Sequence, residues 1–353
     1  MRTLPLSEQH KKLTANFAEF GGFEMPMQYS SAKDEALSVR ESCGIFDVSH
    51  MGEFFITGPQ AAKFVQYLIT NEIESAPNGS AVYSPLCRND GTIIDDLIAY
   101  KITNENILIC VNAANQGKDR EWIEKNMGSF DCKLNDRSHE FCLLAIQGPK
   151  AHEYTQKLGL PQEIHNLKSF QIFSENDLHI SRTGYTGEDG FEIFCSANKA
   201  EDIWKKAMDL KITPCALAAR DVLRLEACLP LYGQDLSDHV TPLESALKWT
   251  VKMDKKDFLG KAALEKLTPT SRLIKISLEK GIPRQGHKII DDQNQQLGEV
   301  TSGTYSPLLS KGIALARVDK EKWSDEKKSF VSVRNKTYAF KRHKKSFLKE
   351  YFS

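Results

Sequence analysis

A hairpin signal in residues 80–111 constrains the fold of this chain more than any other feature. Two β-rich segments, "SAVYSPLC" at 80–87 and "TIIDDLIAYKI" at 92–102, flank the turn sequence Arg88-Asn89-Asp90-Gly91. A short polar turn ending in Asp-Gly between two such segments is typical of an antiparallel strand pair. A second polar break at 104–106 precedes "ILICVN", so the sequence predicts a three-stranded meander.

Two adjacent aspartates lie inside the second strand of this meander. Successive side chains of a strand point to opposite faces, which predicts Ile93 and Asp95 on one face and Ile94 and Asp96 on the other. The hairpin register places Tyr83 on the face of Asp96. A buried carboxylate needs hydrogen-bond donors, a cation or a polar ligand. The motif alone therefore leaves a structural and a functional interpretation open for each aspartate.

The rest of the chain has the mixed pattern of an α+β protein. Periodicity predicts helices over 7–20, 32–42, from 59 onward, over 114–127, near 150–158, over 199–209 and over 216–228. Further strands are predicted over 44–58, around 141–147 and on both sides of the turn in "LHISRTGYTGEDGFEIFCS". After about residue 270 short strands dominate, which predicts a separate small β-barrel or sandwich.

Length and charge exclude several classes of protein. The 353 residues predict two or three domains, and the equal numbers of basic and acidic residues, 47 each, give no field that would attract nucleic acid or anionic lipid. No segment has the length and apolarity of a membrane span, and the amino terminus lacks a secretory signal. We therefore expect a cytoplasmic protein with no nucleic-acid and no membrane partner.

Two local features of the composition carry further expectations. The 8 cysteines have no Cys-x-x-Cys spacing and sit among apolar neighbours, which favours buried thiols over a zinc site or a disulfide framework. The one local excess of basic residues is the run 341–345, "KRHKK". It fits either a solvated edge or a basic docking patch.

Polar groups in three other segments suggest chemistry but do not decide it. Glu192 follows the glycine-rich turn of "RTGYTGEDGFE" and lies between the apolar residues Phe191 and Ile193, where its carboxylate needs a polar partner. The glycines themselves fit a tight turn. Arg220 and Arg224 lie one helical turn apart, where surface ion pairing is the simplest explanation. The run 47–50, "DVSH", is no catalytic triad, and a packed His50 is favoured over a general base.

These motifs together resemble one known family. The matching stretches are "GGFEMPMQY" (21–29), "GIFDVSHMGEF" (44–54), "GTIIDDLIAY" (91–100), "VNAAN" (111–115), "QGP" (147–149), "RTGYTGEDGFE" (182–192), "AARDVLRLEA" (218–227), "LYGQD" (231–235) and "EVTSGTYSP" (299–307). The chain resembles the aminomethyltransferases, the T-proteins of the glycine cleavage system, from about residue 5 to its end. The stretches occur in family order and with family spacing.

The resemblance implies a fold and a reaction. The fold is a three-domain cloverleaf, with two interleaved folate-binding α+β domains over 1–268 around a folate channel and a β-barrel domain over 269–353. The reaction transfers the methylene carbon of the aminomethyl group carried by the lipoylated H-protein to tetrahydrofolate, the co-substrate. The products are 5,10-methylenetetrahydrofolate, ammonia and the dihydrolipoyl H-protein.

The resemblance also implies the site. Asp96 corresponds to the key aspartate, which would orient the folate nitrogens and stabilise the positive charge that develops as ammonia departs. Glu192 corresponds to the acidic residue that binds the pterin ring, and Arg220 to a folate-contacting arginine. The remaining predicted folate contacts are Tyr83, Asn112, Tyr185 and Tyr351; no metal is implied. At Tyr351 the local spacing differs from the family by one residue.

Three related classes share this fold. Folate-binding iron–sulfur assembly proteins carry a Lys-Gly-Cys-aromatic-x-Gly-Gln signature, which disagrees with "ACLPLYGQD" at 227–235. Flavin-dependent sarcosine and dimethylglycine oxidases need an additional flavin domain, for which this chain has no room. Folate-dependent demethylases would use the same pocket, and activity with the aminomethylated H-protein distinguishes them.

Overall fold

The computed structural model describes residues 1–334 and 336–352. Its helices are α1 (Ser7–Lys12), α2 (Ala32–Glu41), α3 (Ala61–Leu68), α4 (Gln116–Met127), α5 (Ala151–Lys157), α6 (Ala197–Asp209), α7 (Leu217–Glu226), α8 (Lys261–Lys266) and α9 (Phe347–Tyr351). Shorter 3₁₀ turns cover Ala113–Asn115, Gln162–Asn166 and Lys248–Thr250. No helix in this part of the chain combines the length and apolarity needed to span a membrane.

The strands occur in three groups along the chain. The first group is β1 (Arg2–Thr3), β2 (Asn16–Phe20), β3 (Phe23–Gln28), β4 (Gly44–Asp47) and β5 (Gly52–Thr57). The second is β6 (Ser80–Cys87), β7 (Ile93–Thr103), β8 (Asn106–Val111), β9 (Lys133–Asp136), β10 (Cys142–Gln147), β11 (Ile172–Glu175), β12 (Leu178–Ser181), β13 (Gly190–Cys195) and β14 (Thr213–Cys215). The third is β15 (Ser271–Leu278), β16 (Lys288–Asp291), β17 (Gln296–Ser306), β18 (Lys311–Asp319), β19 (Ser329–Val333), β20 (Lys336–Ala339) and β21 (Lys341–His343).

Two sheets of the amino-terminal part are interleaved in sequence. The predicted meander forms three strands of a five-stranded antiparallel sheet with the order β6-β7-β8-β5-β9. A six-stranded sheet has the order β11-β12-β13-β10-β4-β14. The chain therefore leaves the six-stranded sheet after β4, builds the five-stranded sheet, and returns at β10. This topology confirms the predicted α+β class with interleaved units.

A central core joins these two sheets. Phe55, Tyr100 and Leu108 from the five-stranded sheet pack with Phe46 and Phe194 from the six-stranded sheet in one buried cluster. Helices α2 and α7 complete this cluster, whereas α5 and α6 cover the opposite face of the six-stranded sheet. Because apolar side chains from both sheets share one interior, polar groups near their common boundary are held in fixed positions.

The carboxyl-terminal strands form a separate sheet. Its order is β20-β19-β16-β17-β18-β15-β21, with antiparallel neighbours throughout the described strands and its own apolar cluster around Ile276 and Val300. This confirms the predicted change to a β-rich unit near residue 270. The basic run 341–345 begins as the edge strand β21, whose Arg342 pairs with Asp325 and whose His343 Nδ1 lies 2.6 Å from a Glu350 oxygen.

The predicted helix over 7–20 is wrong in its second half. Helix α1 ends at Lys12, Thr14 has a positive φ of 56°, and β2 begins at Asn16. Strand β2 pairs with β3 across the turn at Gly21-Gly22, where both residues have positive φ. In β2 the backbone groups are hydrogen-bonded to β3, whereas in a helix they would be bonded within the segment itself. The helical spacing of 7–20 contains no information about this distant partner strand.

Candidate active site

The candidate site begins at the paired aspartates of β7. Strand β7 faces β6 with Asp96 opposite Pro85, but the register shifts between Leu86 and Cys87, so that Cys87 is paired with Ile93. This β-bulge reverses the predicted facing of the first two residues: Ile94 packs with Leu97, whereas Ile93 packs with Tyr83. A bulge adds one residue to a strand and ends strict alternation, which sequence periodicity does not show.

Asp96 is half-buried in a polar setting. The Tyr83 hydroxyl donates to Oδ2 of Asp96 at 3.0 Å, and Nδ2 of Asn112 donates to Oδ1 at 3.1 Å. The contact between Tyr83 and Asp96 confirms their predicted position on one face. Burial, reinforced by the charge of Asp95, raises the pKa of Asp96 to about 7. Its carboxyl group is therefore poised to exist in both protonation states near neutral pH.

Asp95 is fully buried and surrounded by N–H donors. It accepts hydrogen bonds from the Asn112 backbone N–H at 3.1 Å, from Asn112 Nδ2 at 2.8 Å and from Asn115 Nδ2 at 2.6 Å. These donors are what a buried carboxylate needs to remain charged. The contacts match the structural interpretation of Asp95, since they tie β7 to the segment between β8 and α4.

The two carboxylates are less separated than strand alternation predicts. Nδ2 of Asn112 donates to both Asp95 and Asp96, because Asn112 lies just beyond the end of β8, where the strand pairing has ceased. The prediction of opposite faces therefore needs this correction: one amide bridges both groups. Their mutual repulsion contributes to the raised pKa of Asp96.

Glu192 and Arg220 lie on the other side of the site. Glu192 is buried in β13, where Thr183 Oγ1 donates to its Oε2 and Tyr100 OH lies 3.5 Å from the same oxygen. Arg220, on α7, interacts electrostatically with Glu192. Its buried Nη1 has no hydrogen-bond partner within the described chain. A carboxylate and an unpartnered guanidinium nitrogen are suited to a ligand that presents both donors and acceptors.

Tyr185 connects this half of the site to the aspartates. The Arg220 guanidinium carbon lies 4.7 Å from the centre of the Tyr185 ring, and the Tyr185 hydroxyl donates to the carbonyl of Pro230. Burial and, less strongly, the charge of Asp96 raise the pKa of Tyr185. The structure thus brings together six of the seven predicted site residues, namely Asp96, Tyr83, Asn112, Tyr185, Arg220 and Glu192.

Tyr351 stands apart from these residues. It is 51 % exposed at the end of α9, and its ring packs edge-to-face against Phe352. Helix α9 itself reaches the glycine-rich turn, since a Cβ on Gly187 would lie 2.6 Å from Leu348. Gly187 also has a φ of +79°, so this glycine has the structural role expected of a tight turn.

Sequence reasoning missed two residues beside the aspartates. Trp249 is 60 % exposed and stacks on Tyr83 with ring centres 6.0 Å apart. Asp119 is fully buried on α4, and its carboxyl group interacts electrostatically with that of Asp95. A signal for Asp119 exists in the sequence, because the spacing of Asn115, Asp119 and Ile123 puts an acid on the buried face of a helix.

His50 is packed, as predicted. It is buried with edge-to-face contacts to Phe20 and Phe23 at 5.7 and 6.4 Å between ring centres. Burial and then the charge of Arg220 lower the pKa of His50 to about 3, so this imidazole stays neutral. Asp47 interacts instead with His10, whose Nε2 lies 2.8 Å from Oδ2.

The cysteines of this chain all lie in the described residues and form no disulfide. All cysteines are free thiols, and six of the 8 are buried, as their apolar neighbours indicate. Across the residues described, no group of three or more histidine, cysteine, aspartate or glutamate side chains is arranged to hold a metal ion.

Comparison with known families covers nearly the whole chain. Residues 6–255 match the family profile of the GCVT N-terminal domain, and residues 272–349 match the glycine cleavage T-protein C-terminal barrel domain. The chain is 44% identical over 345 residues to an aminomethyltransferase of Thermosipho melanesiensis, covering 95% of this chain and 94% of the relative. It is also 44% identical over 330 residues to an aminomethyltransferase of Thermotoga maritima, with 91% and 90% coverage.

A solved structure has the same fold. The glycine cleavage system aminomethyltransferase T from Bartonella henselae superimposes with a TM-score of 0.93 at 34% identity, covering 98% of each chain. The chain therefore belongs to the glycine cleavage T-protein family. It is a transferase enzyme with the aminomethyltransferase activity of glycine cleavage.

Proposed function

We propose that the acceptor of the one-carbon unit is tetrahydrofolate and that Asp96 is the catalytic residue. The observation that carries this proposal is the Asp96 carboxyl group, held between Tyr83 and Asn112 with its pKa raised to about 7 by burial and by Asp95. A preorganised carboxylate of this kind stabilises positive charge that develops beside it during a reaction.

Glu192 and Arg220 would hold the folate. The carboxylate oxygens of Glu192 fit the N–H donors of a pterin edge, and the unpartnered Nη1 of Arg220 fits an acceptor on the same molecule. Tyr185 and Asn112 would complete the contacts on the side of Asp96. Bound tetrahydrofolate supplies the nitrogen atoms that accept the one-carbon unit.

Asp96 would act by position and charge. A carboxylate beside the accepting nitrogen orients it, and the negative charge favours departure of ammonia from the aminomethyl carbon. Tyr83 and Asn112 restrict the rotation of the carboxyl group, so no reorganisation is needed during the reaction. The pKa of about 7 leaves the ionised form available at and above neutral pH.

The partner that delivers the aminomethyl group would be the lipoylated H-protein. The reaction would take place in the cytoplasm. Three exposed lysines, Lys341, Lys344 and Lys345, lie at and just beyond the edge strand β21. H-proteins of this family are typically acidic, so charge complementarity supports a docking role for the basic run 341–345. Tyr351 lies on α9, which follows this run, and its predicted folate contact stays a prediction.

The test is a reconstituted half-reaction. Purified protein, aminomethylated H-protein and tetrahydrofolate should yield 5,10-methylenetetrahydrofolate and ammonia in equal amounts, with both products absent when folate is omitted. The same protein should leave methyl-sulfur and methoxy donors unchanged. Turnover of such a donor without turnover of the H-protein intermediate would instead identify a folate-dependent demethylase.

A further inference from the structure

A third carboxyl group lies behind the two aspartates of β7. Asp119 is fully buried in the first part of α4, four residues after Asn115, whose Nδ2 donates to Asp95 at 2.6 Å, and the charge of Asp95 acts on the Asp119 carboxyl group. Neither Asp119 oxygen meets an N–H or O–H donor within residues 1–334 and 336–352. A buried ionised carboxylate without donors is strongly disfavoured, and two ionised carboxylates in contact are more so.

The hydrogen-bonding environments of Asp95 and Asp119 favour an ionised Asp95 and a protonated Asp119. Asp95 accepts N–H bonds from Asn112 and Asn115, which favour its charged form. Asp119 has only an acceptor beside it, so contact without repulsion requires a proton on Asp119. Burial, and then the neighbouring Asp95, raise the pKa of Asp119 well above its usual range.

Burial and Asp95 raise the pKa of Asp119 more than the positive charge of Lys118 lowers it. The titratable or charged groups around this cluster are Asp95 and Asp96 on β7, Lys118 on α4, Cys110 on β8, Tyr83 on β6 and Tyr232 after α7. Lys118 is the one cation among them, and its Nζ is directed to the Tyr232 hydroxyl at 2.8 Å and to Asp238 at 3.3 Å. Lys118 therefore neutralises another carboxylate.

We propose that Asp119 is a positioning residue for the aminomethyltransferase reaction. Its protonated carboxyl group donates to Asp95 and so limits the negative charge that Asp95 exerts on Asp96. Without this O–H donor, Asp96 would hold its proton to higher pH and would be ionised less often at neutral pH. The proposed catalytic role of Asp96 underlies this effect on rate.

The first experiment measures protonation without any substrate. Carboxyl groups in the acid form have an infrared C=O band distinct from that of carboxylates, and at about pH 8.5 most of Asp96 is ionised, given its pKa of about 7. The spectrum of the Asp119→Asn variant subtracted from that of the wild type should show the loss of one acid band, with any band of buried Glu53 unchanged. The exposed-site control Asp131→Asn should show no such loss.

The second experiment is the pH profile of kcat/KM for tetrahydrofolate. Asp119→Asn keeps a neutral donor of the same shape, so the midpoint of the acid limb should stay at the wild-type value. Asp119→Leu removes the donor and should move that midpoint upward by about one unit, which lowers the rate at pH 7 about fivefold and leaves the rate at high pH nearly unchanged.

Two results would overturn the proposal. If Asp119 is ionised in the wild type, Asp119→Asn removes no acid band and moves the acid limb downward, because a negative charge near Asp96 is lost. A uniform loss of rate at every pH in folded Asp119→Leu would show a purely structural role. If the proposed function is wrong, no turnover and therefore no pH profile will be observed, whereas the infrared experiment needs no substrate and still reports the protonation of Asp119.

Discussion

At the residue scale, three neighbouring aspartates have three different hydrogen-bonding environments. Asp95 receives N–H bonds from Asn112 and Asn115, Asp96 shares a phenol and an amide, and Asp119 meets no donor in the described structure. Burial disfavours the charged form of a carboxyl group in general, so the donors around the three aspartates decide where negative charge is tolerated. The role of each aspartate therefore depends on the hydrogen-bond donors around it and not on the residue type alone.

Replacement of Asp96 by asparagine should separate catalysis from binding. The Asp96→Asn variant loses the negative charge but keeps the shape, so most turnover should disappear. Folate affinity should stay within about tenfold, or roughly 1.4 kcal/mol. Single-turnover kinetics and equilibrium binding measure these two quantities, and Asp95→Asn is the matched control, in which stability should fall more than rate. An inactive Asp95→Asn beside an active Asp96→Asn would contradict the assignment.

The pH dependence of stability checks the same residue independently. Because the pKa of Asp96 is raised from 3.8 to about 7 on folding, the native state binds this proton more tightly than the unfolded chain. Its contribution to stability is therefore full below about pH 4 and is lost as the pH rises through 7. The difference in Tm between Asp96→Asn and the wild type should favour the variant at pH 8 and vanish at pH 4.

At the element scale, α7 carries two arginines with different tasks. Arg224 is buried and reaches Asp235 at 2.7 Å and Ser302, in β17 of the carboxyl-terminal sheet, at 2.9 Å. Arg220, one turn earlier, keeps an unpartnered Nη1 beside Glu192. Arg224 also donates to Asp221 at 2.8 Å, but its side chain is fully enclosed, so the predicted explanation by surface ion pairing is wrong for this arginine.

These two arginines form a matched pair for mutagenesis. Arg224→Met leaves the buried Asp235 without its cation and should lower the free energy of unfolding by about 3–5 kcal/mol, measured by urea denaturation. Arg220→Met should stay within about 1 kcal/mol of the wild type, since it removes no ion pair. It should instead weaken folate binding at least about tenfold. Equal loss of stability in both variants would contradict this division of roles.

At the scale of the whole molecule, three sheets meet around α7. The five-stranded and six-stranded sheets share the central cluster that includes Val222 and Leu223 of α7, and the carboxyl-terminal sheet contacts the same helix through Leu225 and Ile313. The site lies where the first two sheets meet. The basic edge near β21 belongs to the third sheet, so the proposed docking surface and the proposed folate contacts lie on different units joined by one helix.

Charge removal at this edge tests the docking proposal. Lys344→Ala combined with Lys345→Ala should raise KM for the H-protein about tenfold at low salt, leave kcat nearly unchanged and reduce the dependence of KM on ionic strength. The matched control replaces two exposed lysines elsewhere, Lys63 and Lys133, by alanine. Equal effects of both pairs, or a wild-type rate indifferent to salt at fixed folate, would argue against docking at this edge.

Local patterns predicted most elements of this fold. The hairpin around Asp90-Gly91, the helix Ala32–Glu41 and the strands after residue 270 depend on nearby turn residues and periodicity, and they are present as predicted. The prediction failed where a distant partner decides the outcome. Strand β2 exists because β3 pairs with it, and the bulge in β7 exists because the register with β6 shifts.

The sequence by itself determined the α+β class, the meander, the contact between Tyr83 and Asp96, and, through the order of its motifs, the family. These features depend on local conformational preferences or on residue identity. Only the tertiary structure decided how each charge is satisfied: Asn112 bridging two aspartates, Arg224 buried against Asp235, and Asp119 without a donor. Hydrogen bonding and burial are properties of neighbours brought together from distant parts of the chain, and no local pattern contains them.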